Sequence, residues 1–153
     1  MAIMSTHPKD FGCVYRLSKS LPSLKPGVRI VPCYGVHPWF LHELDDHHWA
    51  LDNDHIPTWL AEIETLVKGN PEAILGEIGL DGFHFQPDTG DLTSSMEKQI
   101  EAFELQMALA ARLHRPVSVH TVQCFGQLME SLSKLKKSKS GLPPTIYFHA
   151  FGG

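Results

Sequence analysis

The chemistry of this sequence gathers at the ends of its apolar runs. Ala73-Ile74-Leu75-Gly76-Glu77-Ile78-Gly79-Leu80-Asp81 carries one carboxylate, Glu77, into its end and a second, Asp81, just beyond it. Short apolar runs bounded by turn residues read as buried parallel strands. Burying a lone carboxylate costs several kcal/mol or more, so Glu77 demands a partner or a metal ion. Pro116-Val117-Ser118-Val119-His120 and Pro144-Thr145-Ile146-Tyr147-Phe148-His149 repeat the design with histidine as the polar terminus. Val31-Pro32-Cys33-Tyr34-Gly35-Val36-His37-Pro38 follows a similar plan. One histidine at a strand end is an ordinary hydrogen-bonding residue. A glutamate and two histidines at the same end of successive strands form a constellation, because sites in parallel α/β folds are built at that end.

The elements that must position these residues alternate along the chain. Ala2 to Ser5 reads as a strand remnant, and Phe11, Val14, Leu17 and Leu21 recur at helical spacing after Pro8. Ser20 to Gly27 reads as a connection, and Val28 to Val36 as a strand weakened by Pro32. Trp59, Leu60, Ile63, Leu66 and Val67 form one face of a helix that starts near Pro57 and closes at Gly69 and Pro71. Ser94 and Glu97 have the spacing of a capping box ahead of Met96, Ile100, Phe103, Met107 and Ala110. A last helix carries Phe125, Leu128, Leu132 and Leu135. Such strand–helix–strand units require an α/β fold with a parallel sheet and right-handed crossovers. On periodicity alone a doubly wound sheet fits as well as a barrel.

Composition excludes several classes. The chain has 153 residues, 42% hydrophobic and 20% charged, enough for one globular domain over 1–153. Its start lacks the features of a signal peptide, and no stretch reaches membrane-spanning length. Cys13, Cys33 and Cys124 are odd in number and form no C-x-x-C pair, which suits a reducing compartment, the cytoplasm or alternatively the nucleus. The net charge of -4 gives no global basic footprint for nucleic acid. Lys134, Lys136, Lys137 and Lys139 fall at the far end of the helix after His120, where they complement its dipole. His42, Glu43, Asp45, Asp46, His47, His48, Asp52, Asp54 and His55 are rich in ligand atoms but match neither an EF-hand nor a zinc finger, and read as a solvated loop.

Gly35-Val36-His37-Pro38, Gly76-Glu77-Ile78-Gly79-Leu80-Asp81, Pro116-Val117-Ser118-Val119-His120 and His149-Ala150-Phe151-Gly152-Gly153, in that order, resemble the TatD family of metal-dependent deoxyribonucleases. Gln99, Phe103, Gln106 and Ala110 add to the likeness. Val122 stands where many members carry an arginine, which places the chain among divergent TatD-related hydrolases. The resemblance implies a TIM (β/α)8 barrel with a two-metal site at its C-terminal face, acting on DNA or another phosphodiester. It implies that Glu77 bridges two divalent ions and that His120 and His149 complete one of them. His37 and Asp81 would lie beside the site, supporting the ligands or facing substrate. Imidazole with carboxylate suits Zn, Mn or Fe, while Mg prefers oxygen, so the resemblance leaves the metal among these.

The family's opening His-x-His motif and its closing aspartate have no counterpart in the sequence. A full barrel takes about 250 residues, so the expectation is a partial barrel, about strands two to six, inactive on its own. The competing expectation is a degenerate, non-catalytic barrel segment that serves a protein partner. An amidohydrolase-type barrel acting on C–N bonds would share the strand-end ligands.

Overall fold

Five strands, β1 (Ala2–Met4), β2 (Val31–Tyr34), β3 (Ile74–Asp81), β4 (Val117–Val122) and β5 (Ile146–Gly152), pair in parallel in the order of the sequence. The structure is a computed structural model that describes residues 1–24, 27–52 and 55–152. Lys25 and Pro26 of the expected connection, Asp54 of the acidic loop and Gly153 of the terminal motif lie outside the described residues. A doubly wound sheet reverses its strand order part-way; this sheet never does, so it is the singly wound arrangement of a partial (β/α)8 barrel.

The helices return the chain from one end of the sheet to the other: α1 (Pro8–Leu24), the single turn α2 (Asp46–Trp49), α3 (Thr58–Lys68), α4 (Met96–Arg112) and α5 (Phe125–Lys137). Helix α1 runs on to Leu24 where a connection is expected from Ser20, because a proline at position 22 forfeits one bond in the last turn without breaking the turns before it. Pro32 sits inside β2 at no cost to the ladder. Val31 N–H donates to Met1 O, so alternate residues face β1, and the proline nitrogen faces β3 before pairing begins there at Ile74. The cap of α4 is Ser95, whose Oγ accepts from Lys98 N at 3.3 Å, and not the Ser94–Glu97 box. Ser94 is buried instead, with its hydroxyl accepting from His42 N at 3.1 Å.

The core lies between the sheet and the helices. Tyr34, Leu75, Ile78, Leu80, Val117 and Val119 from the strands meet Trp59 and Ile63 of α3 and Phe103 and Met107 of α4 in one cluster. Each of the large side chains there contributes about 1.5–3 kcal/mol by leaving water. At the far end of α5, Lys134 pairs with Glu104, as befits a solvated helix terminus away from the strand-end residues. The loop after β2 is likewise mostly surface: Asp45 caps α2 through His48 N, and Glu43 pairs with Lys9 at 3.0 Å. Among the described residues, strands β1 and β5 pair on one side only, and β5 leaves Tyr147, Phe148 and Phe151 exposed.

Candidate metal centre

Three devices aim the polar strand ends at one point. First, the β3–β4 register slips between Leu75 and Ile78, an irregularity that turns Glu77 out of the ladder. Second, Gly79 has φ 147° and faces His120 in register; a Cβ there would overlap the His120 carbonyl, so only glycine lets β3 lie this close to β4. Third, His120 and His149 are register partners across β4 and β5, which sets both rings over the same end of the sheet. The cleft they open has a volume of about 390 Å³ and is lined by Thr6, His37, Trp39, Phe40, Glu77, His120 and Ala150.

Glu77 Oε1 is the centre of the arrangement. It lies 3.4 Å from His120 Nδ1 and 3.7 Å from His37 Nε2, and it accepts a hydrogen bond from His149 Nε2. Contact with His120, and then the bond from His149, hold its carboxyl down at about 2 against the opposing effect of burial. His120 is itself buried, and burial alone would lower its pKa; Glu77 and Asp81 on either side outweigh that and raise it. Asp81 Oδ2 takes His120 Nε2 at 2.8 Å and Trp39 Nε1 at 2.7 Å, while Oδ1 accepts from Phe83 N and His84 N at 2.7 and 3.0 Å. Burial pushes Asp81 up, yet these donors together bring it below the usual aspartate range.

One nitrogen or oxygen each from His37, Glu77 and His120 falls within 4.8 Å of the others, close enough to share an ion. The hydrogen bonds separate their parts. His120 Nε2 meets a carboxylate, so Nδ1 is the nitrogen free to bind metal, and Asp81 orients the ring as outer carboxylates do for metal-bound histidines. Two ligands of one ion, each about 2.0–2.2 Å from it, stand about 3–4 Å apart, and Glu77 and His120 do. His37 differs. Its Nδ1 accepts from Trp39 N at 3.2 Å, so the neutral ring carries its hydrogen on Nε2, the atom that faces Glu77. Burial, then the charge of His120, lower its pKa to about 4, which keeps the ring neutral. His37 therefore presents a donor to the cleft.

The structure thus brings together all five residues expected at the site. It adds Trp39 and Ser118, which sequence reasoning does not mark: Ser118 Oγ bonds His149 Nδ1 at 2.8 Å. Gln99 and Gln106 are buried on α4 and clamp strand ends. Gln99 bonds both backbone groups of Asp81, at 2.8 and 3.1 Å, and Gln106 bonds both of Val36, at 2.8 and 3.2 Å. Two glutamines seven apart in an apolar stripe are a readable sign of such a clamp. The loop of His42 to His55 contributes no ligand atom to the cluster among the described residues.

Comparison with known proteins bears on the family and the fold. The family described as "TatD related DNase" matches residues 1–153. "Cut9-interacting protein scn1" of Schizosaccharomyces pombe is 27% identical over 219 residues, covering 100% of this chain and 64% of that protein. "Uncharacterized deoxyribonuclease YMR262W" of Saccharomyces cerevisiae is 26% identical, covering 82% of this chain and 50% of its own length. The crystal structure of YJJV, a TatD homolog from Escherichia coli K12, superposes with a TM-score of 0.70 at 23% identity, over 99% of this chain and 48% of that one. At that identity the likeness establishes the fold alone. The chain spans between about half and two thirds of the length of these proteins.

Proposed function

The chain belongs to the TatD related DNase family, and on that premise we propose that its cleft at the carboxyl ends of the strands binds divalent metal and, as part of a complete barrel, hydrolyses phosphodiester bonds in DNA. The observation that carries the reading is the pair Glu77 Oε1 and His120 Nδ1, 3.4 Å apart, with the far nitrogen of His120 anchored on Asp81. An isolated buried carboxylate would be costly; one poised beside imidazoles is a ligand set. Glu77, His120 and His149 would hold the metal in this reading, with Glu77 at the centre of the set. When bound, divalent ions supply an activated water and stabilise the leaving oxygen of an in-line displacement. The donor set of imidazole and carboxylate suits zinc or manganese better than magnesium.

The chain's own residues do the rest. Asp81 fixes the tautomer and angle of His120. His37, neutral and donating through Nε2, offers a hydrogen bond to a phosphate oxygen entering the cleft. Trp39 and Phe40 line one side of it with aromatic surface. Val122, at the end of β4, supplies no cation, so in this reading charge neutralisation of the phosphate falls to the metal site.

The S. pombe relative is named for an interaction with Cut9, which supports a protein partner in addition to hydrolysis. It does not support a degenerate segment, because the cleft keeps its ionisable groups at one point. We place the protein in the cytoplasm or nucleus, in keeping with three free thiols; no helix among the described residues is long and apolar enough to cross a membrane. The test is release of nucleotides from single-stranded DNA by the manganese-loaded protein, with loss of activity in Glu77→Gln. Turnover of cyclic amides with none of DNA would overturn the proposal.

A further inference from the structure

Ser118 is out of keeping with its surroundings. It interrupts the buried run of β4 between Val117 and Val119, both fully buried, and is itself only 5% exposed. A hydroxyl in such a place requires a partner. Among the described residues its partner is His149 Nδ1, at 2.8 Å. Room for it comes from Gly76, where a Cβ would approach Ser118 Cβ to 2.9 Å. The other nitrogen of the same ring, Nε2, bonds Glu77.

We propose that Ser118 is a positioning residue that sets which nitrogen of His149 carries the hydrogen and reverses its own bond when a metal ion takes Nε2. The proposal rests on the metal reading above. Glu77 as a carboxylate can only accept, so without metal Nε2 carries the hydrogen, and in the neutral tautomer Nδ1 offers a lone pair. The Ser118 hydroxyl then donates to Nδ1. A metal ion needs the lone pair on Nε2, so the neutral ring must carry its hydrogen on Nδ1 and must find an acceptor there. The same hydroxyl turns and accepts. One proton leaves Nε2 for water and one is taken from water at Nδ1, so the exchange of tautomers leaves the number of protons unchanged. An aliphatic side chain serves neither state, and a carboxylate serves only the second. A hydroxyl serves both.

The experiment follows the ring nitrogens of His149 by 15N NMR in the purified chain, metal-free and with zinc, together with calorimetric zinc titration. Wild type and Ser118→Thr are expected to show hydrogen on Nε2 without metal and on Nδ1 with zinc. Ser118→Ala should show a mixture of both forms without metal and bind zinc about tenfold more weakly. Melting temperature serves as the control; should Ala lower it, Ser118→Val against Ser118→Thr gives the same contrast at constant shape. Loss of the hydroxyl with no change in tautomer or affinity overturns the proposal. If wild type binds no zinc, the metal reading fails by itself and the metal-free spectra decide for Ser118. A mixture in the Ala variant then upholds its hold on the ring, and an unchanged spectrum refutes it.

Discussion

The sheet has a cleft at each end, and the two differ in chemistry far more than in size. The cleft at the carboxyl ends of the strands has a volume of about 390 Å³, and the one at the amino ends, lined by Arg29, Pro71, Glu72, Arg115 and Tyr147 among others, about 420 Å³. At the amino ends the charges satisfy one another at the surface: Arg29 pairs with Glu72 at 2.9 Å, their side chains 75% and 48% exposed, and Arg115 donates to Pro71 O. At the carboxyl ends, carboxylates and imidazoles are turned inward on a common centre, where Glu77 is held down at about 2 and His120 is raised. Volume does not distinguish a site from a crevice. The direction in which the polar groups point does, and parallel strands deliver that direction at one end only.

The contrast breaks most readily at Glu77. Replacement by Gln keeps the shape but removes the charge that His120 and His149 share and on which the proposed metal binding depends. Zinc or manganese affinity measured by calorimetry should fall by more than the roughly 10–100-fold typical of a residue that merely supports a ligand. Unchanged affinity would return this cleft to the standing of the other one.

Asp81→Asn probes the support. The amide cannot serve the four donors that now converge on the carboxylate, from His120, Trp39, Phe83 and His84. Metal affinity should drop about 10–100-fold and stability by about 1–3 kcal/mol. Trp39→Phe removes a single donor and should cost about 1 kcal/mol in chemical denaturation. Equal effects of the two would mean that Asp81 matters only through Trp39.

A strongly lowered pKa is not by itself the mark of the site, and Glu64 shows why. The Arg112 guanidinium, bidentate at 2.7 Å on both oxygens, and then Lys68 hold Glu64 down at about 2, as low as Glu77, on the outer face between α3 and α4. Its folded value lies below the unfolded value of about 4.5, so its contribution is complete above that pH and is lost as pH falls toward 2. The partners are half-exposed, so solvent screening limits the contribution to about 1 kcal/mol. Wild type and Glu64→Gln should differ by that amount at pH 7 and converge at pH 2 in denaturant unfolding. A gap that persists at pH 2 would assign the effect to packing.

What the sequence made legible follows from the same physics. The runs leading to Glu77, His120 and His149 could be read as strands with polar groups toward their carboxyl ends, and their common end follows from βα alternation; the expectation that these residues terminate the strands was wrong, because β3, β4 and β5 run on past them to Asp81, Val122 and Gly152. The choice between barrel and doubly wound sheet needed strand order, which periodicity does not encode. Trp39 was invisible because its role depends on the turn Pro38–Glu43 bringing its indole to Asp81. Ser118 looked like one more small residue in a strand until β5 placed His149 beside it. The capping serine of α4 moved by one because Ser94 is consumed by His42 and Gln99, a tertiary demand that outranks local capping preference.

The smallest effect belongs to the amino-end cleft, and it tests the comparison from the other side. Arg29→Ala and Glu72→Ala each remove one partner of a pair whose side chains remain largely in water. Exposed pairs gain little Coulomb energy, lose side-chain entropy on pairing and are screened by salt, so their median worth is about 0–1 kcal/mol. Each single variant should lose no more than about 0.5 kcal/mol by denaturant unfolding, and the double-mutant coupling should shrink further at high salt. Zinc affinity should be untouched in all three, since neither residue lies at the carboxyl ends of the strands. A coupling of several kcal/mol that is insensitive to salt would show that the pair is desolvated and working as a unit. In that case the amino-end cleft would be a built site too, and the difference between the two ends would be one of ligand class and not of construction.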